Sequence, residues 1–153
     1  MLLTTICYID NGDSYLMMLR NKKKHDINEG KWLGVGGKFM PGETPEECVC
    51  REVTEETGLT LDEYTMRGVI TFSPSAGECE YIYVFTSDKF HGDLIDCNEG
   101  ELSWISKDKI MDLTLWEGDR IFLKLLLESS PFFSVKLSYD GDILTDSSVK
   151  LYE

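Results

Sequence analysis

Between Thr44 and Gly58 the chain signals a helix at both ends and crowds carboxylates onto one side of it. Thr44 suits the N-cap, Pro45 the first helical position, and Glu47 completes a capping box by reaching back to the cap backbone. Gly58 supplies the left-handed residue that stops the helix. At 100° per residue, Glu52, Glu55 and Glu56 fall within an arc of about 100°, while Val49, Cys50 and Val53 take the neighbouring, core-facing sector. Glu52 and Glu56 are like charges four apart, which costs an isolated helix about 0.2–0.5 kcal/mol. No lysine lies in the helix, and the wheel puts Arg51 about a quarter-turn from the acidic face. One reading is a solvated acidic face. The other is a cation site: convergent carboxylate oxygens suit Mg²⁺ or Mn²⁺, which keep waters and bind substrate phosphates. Zinc is a poorer fit, for want of a nearby Cys/His cluster. The Gly-rich run Trp32-Leu33-Gly34-Val35-Gly36-Gly37 just upstream offers backbone carbonyls as further ligands.

Composition narrows the partners. The formal charge of −13 would repel a nucleic-acid polymer, whose binding rests on Lys and Arg neutralising phosphates. A small phosphate ligand remains open if it arrives with a divalent cation. No run approaches the eighteen uncharged apolar residues of a membrane span. The N-terminal residues show neither a basic leader nor a small-residue cleavage site, which makes the cytoplasm the expected compartment. Five scattered cysteines, with no C-x-x-C pair, read as reduced small hydrophobes.

The rest of the chain reads as a single domain over 1–153, its strands mixed with a few helices. Strands are expected at Leu2–Ile9, Tyr15–Leu19, Met66–Phe72, Tyr81–Thr86 and Leu102–Ile105, with a terminal hairpin of Phe132–Tyr139 and Ile143–Tyr152 about Asp140-Gly141-Asp142. A second helix is expected over Asp119–Glu128, buried on a broad face. The fold class that follows is α/β, with a mixed sheet in layers.

The spacing around the glutamates is specific. Gly37, five residues, Glu43, seven residues, Arg51-Glu52-Val53, one residue, Glu55-Glu56, one residue and Gly58-Leu59 resemble the Nudix box at every defined position from 37 to 59. The run Gly30 to Leu59, with Trp116 and Asp119 further on, resembles the MutT-like branch, which includes the 8-oxo-dGTP diphosphatases. That resemblance implies an α/β/α sandwich and a Mg²⁺-dependent (Mn²⁺ as the alternative) pyrophosphohydrolase that cuts nucleoside triphosphates to monophosphate and pyrophosphate. It implies Glu52, Glu55 and Glu56 as carboxylate ligands, the Gly36 carbonyl as a backbone ligand, and Glu52, then Glu56, as general base. Arg51 would orient Glu52 while pairing with Glu43. Lys38 and Arg20 are candidates for phosphate oxygens; Arg20 reads equally as a surface cation. A further ligand is expected from Asn98-Glu99-Gly100-Glu101, with Glu101 preferred.

Trp116 and Asp119 resemble the aromatic and acidic residues that contact a purine in oxidised-purine triphosphatases. Their plain alternative is a core plug and a helix N-cap. Leu33 stands where some of those enzymes carry a polar Asn, a departure that bears on 8-oxoguanine selectivity. ADP-ribose, a dinucleoside polyphosphate or an ordinary dNTP are alternative substrates. A non-catalytic nucleotide sensor is a further alternative, although all the box glutamates are kept.

Overall fold

The N-terminal hairpin forms as its alternation demands. β1 (Leu2–Asp10) and β2 (Ser14–Leu19) pair antiparallel, with Ile9 opposite Leu16. The computed structural model describes all 153 residues. β1 also pairs, in parallel, along the whole of its other edge with β5 (Glu80–Gly92). β5 runs antiparallel to β4 (Leu59–Pro74), β4 parallel to β7 (Phe132–Asp140), and β7 antiparallel to the edge strand β8 (Ile143–Tyr152). The short β3 (Trp32–Leu33) and β6 (Glu101–Ser106) both pair with β2. The result is one mixed sheet of eight strands.

Strand alternation sorts side chains to two faces. Cys7 and Ile9 of β1 meet Val49 and Val53 of α1 (Pro45–Thr57) in one core; Tyr8 meets Phe122, Leu123 and Leu126 of α2 (Glu117–Leu127) in the other. A helix on each face of the sheet is the layered arrangement expected. No helix is long and apolar enough to cross a membrane.

Three elements depart from the sequence reading. β4 and β5 extend well beyond Met66–Phe72 and Tyr81–Thr86, because their outer halves pair with each other. Leu59 and Leu61 alternate into the core there, but Asp62, Glu63, Tyr64 and Thr65 are all exposed and break the pattern before Met66. α2 starts two residues earlier than expected, with Trp116 at the N-cap in extended conformation and Asp119 inside the first turn. The N-cap role for Asp119 is therefore corrected. Gly118 allows the early start: its N–H donates to the Tyr139 hydroxyl at 2.7 Å, and a Cβ there would sit 2.6 Å from Leu137.

Candidate active site

α1 has the ends its sequence specifies. Thr44 Oγ1 accepts from Glu47 N–H at 3.0 Å, Glu47 Oε1 accepts from Thr44 N–H at 2.9 Å, and Gly58 caps in the left-handed region. This fixes the helix rotation and hence the direction of its acidic face.

The wheel misplaces Arg51, whose long side chain bends back over the glutamates. Its Nε and Nη2 donate to the two Glu43 oxygens at 2.7 and 2.9 Å, a bidentate clamp. Nη1 donates to Glu52 at 2.8 Å and to Glu55 at 3.1 Å, and Nη2 reaches the Lys38 carbonyl at 3.0 Å. One guanidinium thus ties the loop of Glu43 and Lys38 to the helix. Its hydrogen bonds hold the Glu43 carboxyl down at about 2.

Glu52 and Glu56 respond differently. Burial raises the Glu52 pKa against the opposing pull of Arg51. Burial raises Glu56 more strongly, helped by a hydrogen bond shared with Glu99 and by the Glu52 charge. Two carboxyls share a hydrogen bond only when one carries a proton. Crowded, half-buried carboxylates of this kind call for a cation. The Gly36 N–H donates to Glu56 at 3.2 Å.

The two glycines of the box loop differ in what their missing side chains permit. A Cβ on Gly36 would lie 1.9 Å from the Thr5 carbonyl oxygen, so the loop packs backbone to backbone on β1. A Cβ on Gly37 would lie 2.5 Å from the carboxyl carbon of Glu52, so this glycine makes room for the carboxylate itself.

Of the loop glutamates, Glu99 lies against Glu56, while Glu101 is exposed and accepts from Asn21 at 3.0 Å. The structure thus brings Glu99, and not the expected Glu101, beside Glu56. Gly100 explains the geometry: a Cβ there would meet the Leu19 carbonyl oxygen at 2.0 Å, so the loop hugs β2 and turns Glu99 inward. Arg20 is no surface cation. It is largely buried, donates to Asp26 at 2.8 Å and lies 3.8 Å from Glu99, at the rim of the carboxylate cluster. Asp26 was not singled out in the sequence. Lys38 is exposed.

The carboxylates Glu52, Glu55, Glu56 and Glu99 are oxygen donors of the kind that hard divalent cations take. In this arrangement Glu52 and Glu55 turn onto Arg51 and Glu56 onto Gly36 N–H, and no three acidic side chains share one centre.

On the other face, Trp116 is only 8% exposed and belongs to the core. Its Nε1–H donates to Asn28 at 2.8 Å, its ring meets Tyr139 edge-on, and Lys31 Nζ sits 4.4 Å from the ring centroid. Asp119 is half-buried. Desolvation, with Glu80 adding and Arg120 and Lys31 opposing, lifts its carboxyl to about 7. Leu33 packs beside this core as a half-buried apolar residue.

Residues 2–126 match the model of the NUDIX domain. The chain belongs to the NUDIX family. It is 32% identical, over 95% of its length and 91% of the relative's, to the oxidized purine nucleoside triphosphate hydrolase of Danio rerio. It is 31% identical to the protein of that name from Mus musculus, with 87% and 86% covered. Its fold superposes on a MutT protein from Bacillus halodurans with a TM-score of 0.89 at 24% identity, covering 98% of both chains. The chain is thus a Nudix hydrolase resembling the MutT-like branch, and its Arg51-centred cluster lies within the matched span.

Proposed function

We propose that this Nudix hydrolase cleaves purine nucleoside triphosphates, oxidised ones such as 8-oxo-dGTP included, to the monophosphate and pyrophosphate, with Mg²⁺ as its cation. The observation that carries the reading is the Arg51 clamp, which ties Glu43, Glu52 and Glu55 together on the helix that also carries Glu56, beside the Gly36-Gly37 backbone and Glu99. The names borne by the two animal relatives support the substrate class.

Glu52, Glu55, Glu56 and Glu99, with the Gly36 carbonyl, would hold the cation. When bound, it would lower the pKa of a water and neutralise charge on the phosphate chain. Glu52 takes the proton of the attacking water: Arg51 holds one of its oxygens and the room left by Gly37 accommodates the carboxylate. Arg20 and Lys38 reach phosphate oxygens from the rim. On the opposite face Asp119 reads the purine edge. With a pKa of about 7 its carboxyl offers both a donor and an acceptor form near neutrality. Trp116 forms the wall beside it, and a stacking base displaces Lys31 from over the ring.

The test is a panel of nucleotides with Mg²⁺, read for pyrophosphate against orthophosphate. Pyrophosphate from 8-oxo-dGTP and dGTP, with the oxidised base preferred, is the expected result. Orthophosphate from either, or cleavage confined to ADP-ribose, overturns the reading. In ¹⁸O-water the label is expected in pyrophosphate, marking attack at the β phosphorus.

A further inference from the structure

At the far end of β1 a cleft of about 260 Å³ opens between the outer half of β4, the middle of β5 and the C-terminus of α2. It is remote from the carboxylate cluster. The box loop crosses β1 at Thr4 and Thr5, whereas Asp10 at the other end of that strand lines the cleft, some 20 Å away at about 3.3 Å per residue.

Two polar groups lining this cleft have hydrogen-bonding capacity that the protein leaves largely unused. The chain has four arginines. Arg20, Arg51 and Arg120 each pair with at least one carboxylate. Arg67 pairs with none; its guanidinium reaches only Thr86 Oγ1 and the Ser130 carbonyl, each at a long 3.4 Å. In a protein of net charge −13, a half-buried guanidinium without an anion is the exception to explain. The second group is Tyr15. It is 3% exposed, yet no protein group bonds its hydroxyl, which opens into the same cleft.

The backbone is shaped to put Arg67 there. β4 slips register against β5 between Met66 and Gly68, so Arg67 is the extra residue of a bulge. Bulges re-aim side chains and recur beside binding sites. Gly68 lets Phe133 pack directly against the bulge, since a Cβ there would lie 2.3 Å from its ring.

We propose that this cleft is a second ligand site, taking a small monoanion whose carboxylate or phosphate oxygens pair with the Arg67 guanidinium and the Tyr15 hydroxyl. A guanidinium fork matches either oxyanion. The charges around it set the valence. Lys107 is neutralised by Asp10 at 2.8 Å, and Glu63 and Asp88 stand among the lining residues. One free cation surrounded by acids admits a single negative charge and repels a triphosphate or pyrophosphate, which separates this site from the nucleotide site. Leu126 and Leu127 give it an apolar wall for the body of a small organic acid. Burial raises the Tyr15 hydroxyl to about 12, with Asp10 adding and Arg67 opposing, so it stays a donor at all working pH values and faces both groups.

The test is NMR on the ¹⁵N-labelled full chain in chelator, titrated separately with sodium acetate and sodium phosphate against chloride at fixed ionic strength. Saturable shifts at the Arg67 side chain and the Thr86 and Ser87 amides are expected. Arg67→Gln and Tyr15→Phe should each weaken the affinity at least about tenfold, as loss of a charge-assisted or buried hydrogen bond does. Tyr15→Phe removes one oxygen and keeps the core packing, so it decides the matter should Arg67→Gln unfold. Saturation by acetate alone assigns a carboxylate ligand, and by phosphate alone a singly charged phosphate diester. Linear shifts with both anions, saturation unchanged in Tyr15→Phe, or shifts confined to Gly36 and Glu56 overturn the proposal.

Discussion

Gly36 and Gly37 are neighbours with opposite duties, and substitution should separate them. Alanine at Gly36 drives a methyl against the backbone of Thr5, so Gly36→Ala should unfold the protein or lower its melting temperature sharply. Alanine at Gly37 meets only the tip of Glu52, a flexible side chain that can move. Gly37→Ala should therefore melt close to wild type yet lose most of its kcat. Paired melting curves and kinetics check this, and a Gly37→Ala enzyme of full activity would remove Glu52 from the reaction. The glutamates themselves make the companion test. Glu52→Gln is nearly isosteric and should cost several orders of magnitude in kcat. Glu47→Gln keeps a capping-box acceptor for Thr44 and should be nearly silent. Equal losses in both would say that the helix matters only structurally. These roles were partly legible in the sequence. The carboxylate face follows from spacing alone, but a helical wheel tracks Cβ directions, and Arg51 is long enough to escape its own sector. Glu99 against Glu101 was beyond spacing, because the choice rests on how Gly100 presses the loop onto Leu19.

At the scale of elements, α1 was readable to the residue because its stop and start signals are local hydrogen bonds. α2 was not, since its first turn is set by a distant partner, the Tyr139 hydroxyl on β7. The same holds for β4 and β5, whose outer halves are strands because they pair with each other and not because of their own apolar pattern. The start of α2 also carries the base-recognition question. Trp116→Ala empties a buried site and should cost about 3–5 kcal/mol. Loss of stability alone therefore does not speak for stacking. Asp119→Asn is the sharper probe: an amide replaces a carboxyl that accepts no hydrogen bond from the protein. It should change kcat/KM for 8-oxo-dGTP relative to dGTP while leaving the fold intact. With Leu33 contributing no hydrogen bond, the change should correspond to one buried hydrogen bond, about 1–3 kcal/mol or roughly five- to more than a hundredfold. An unaltered ratio would end the role of Asp119 as a purine reader.

Across the whole molecule the mixed topology brings these carboxyls together, and it is the part least written in the sequence: the parallel β1–β5 pairing joins residues some eighty positions apart. Folding a chain of net charge −13 around half-buried acids makes stability depend on pH with a definite sign. Glu52, Glu56 and Asp119 have pKa values raised by burial. As pH rises through their ordinary values the unfolded chain releases these protons more readily than the folded chain does. The folded state therefore binds more protons, and stability falls as pH rises. The Asp119 share falls from its ordinary 3.8 to about 7 and then levels off. Glu43 runs the other way, but its carboxyl sits at about 2, so its contribution is lost only in acid below this window. In chelator, the protein should melt higher at pH 5 than at pH 8. General charge repulsion would give the same trend, so Asp119→Asn is the control: it should flatten the slope between pH 4 and 7 and leave the slope above 7 alone. A divalent cation competes with those protons. Mg²⁺ should therefore raise the melting temperature markedly at pH 8 and little at pH 5, by about 2.7 kcal/mol at a hundred times its dissociation constant. Glu52→Gln should blunt that response, and activity should vanish with EDTA and return with Mg²⁺ or Mn²⁺. Full turnover in chelator, or a Mg²⁺ response identical at both pH values and in Glu52→Gln, would sever the carboxylate cluster from the cation.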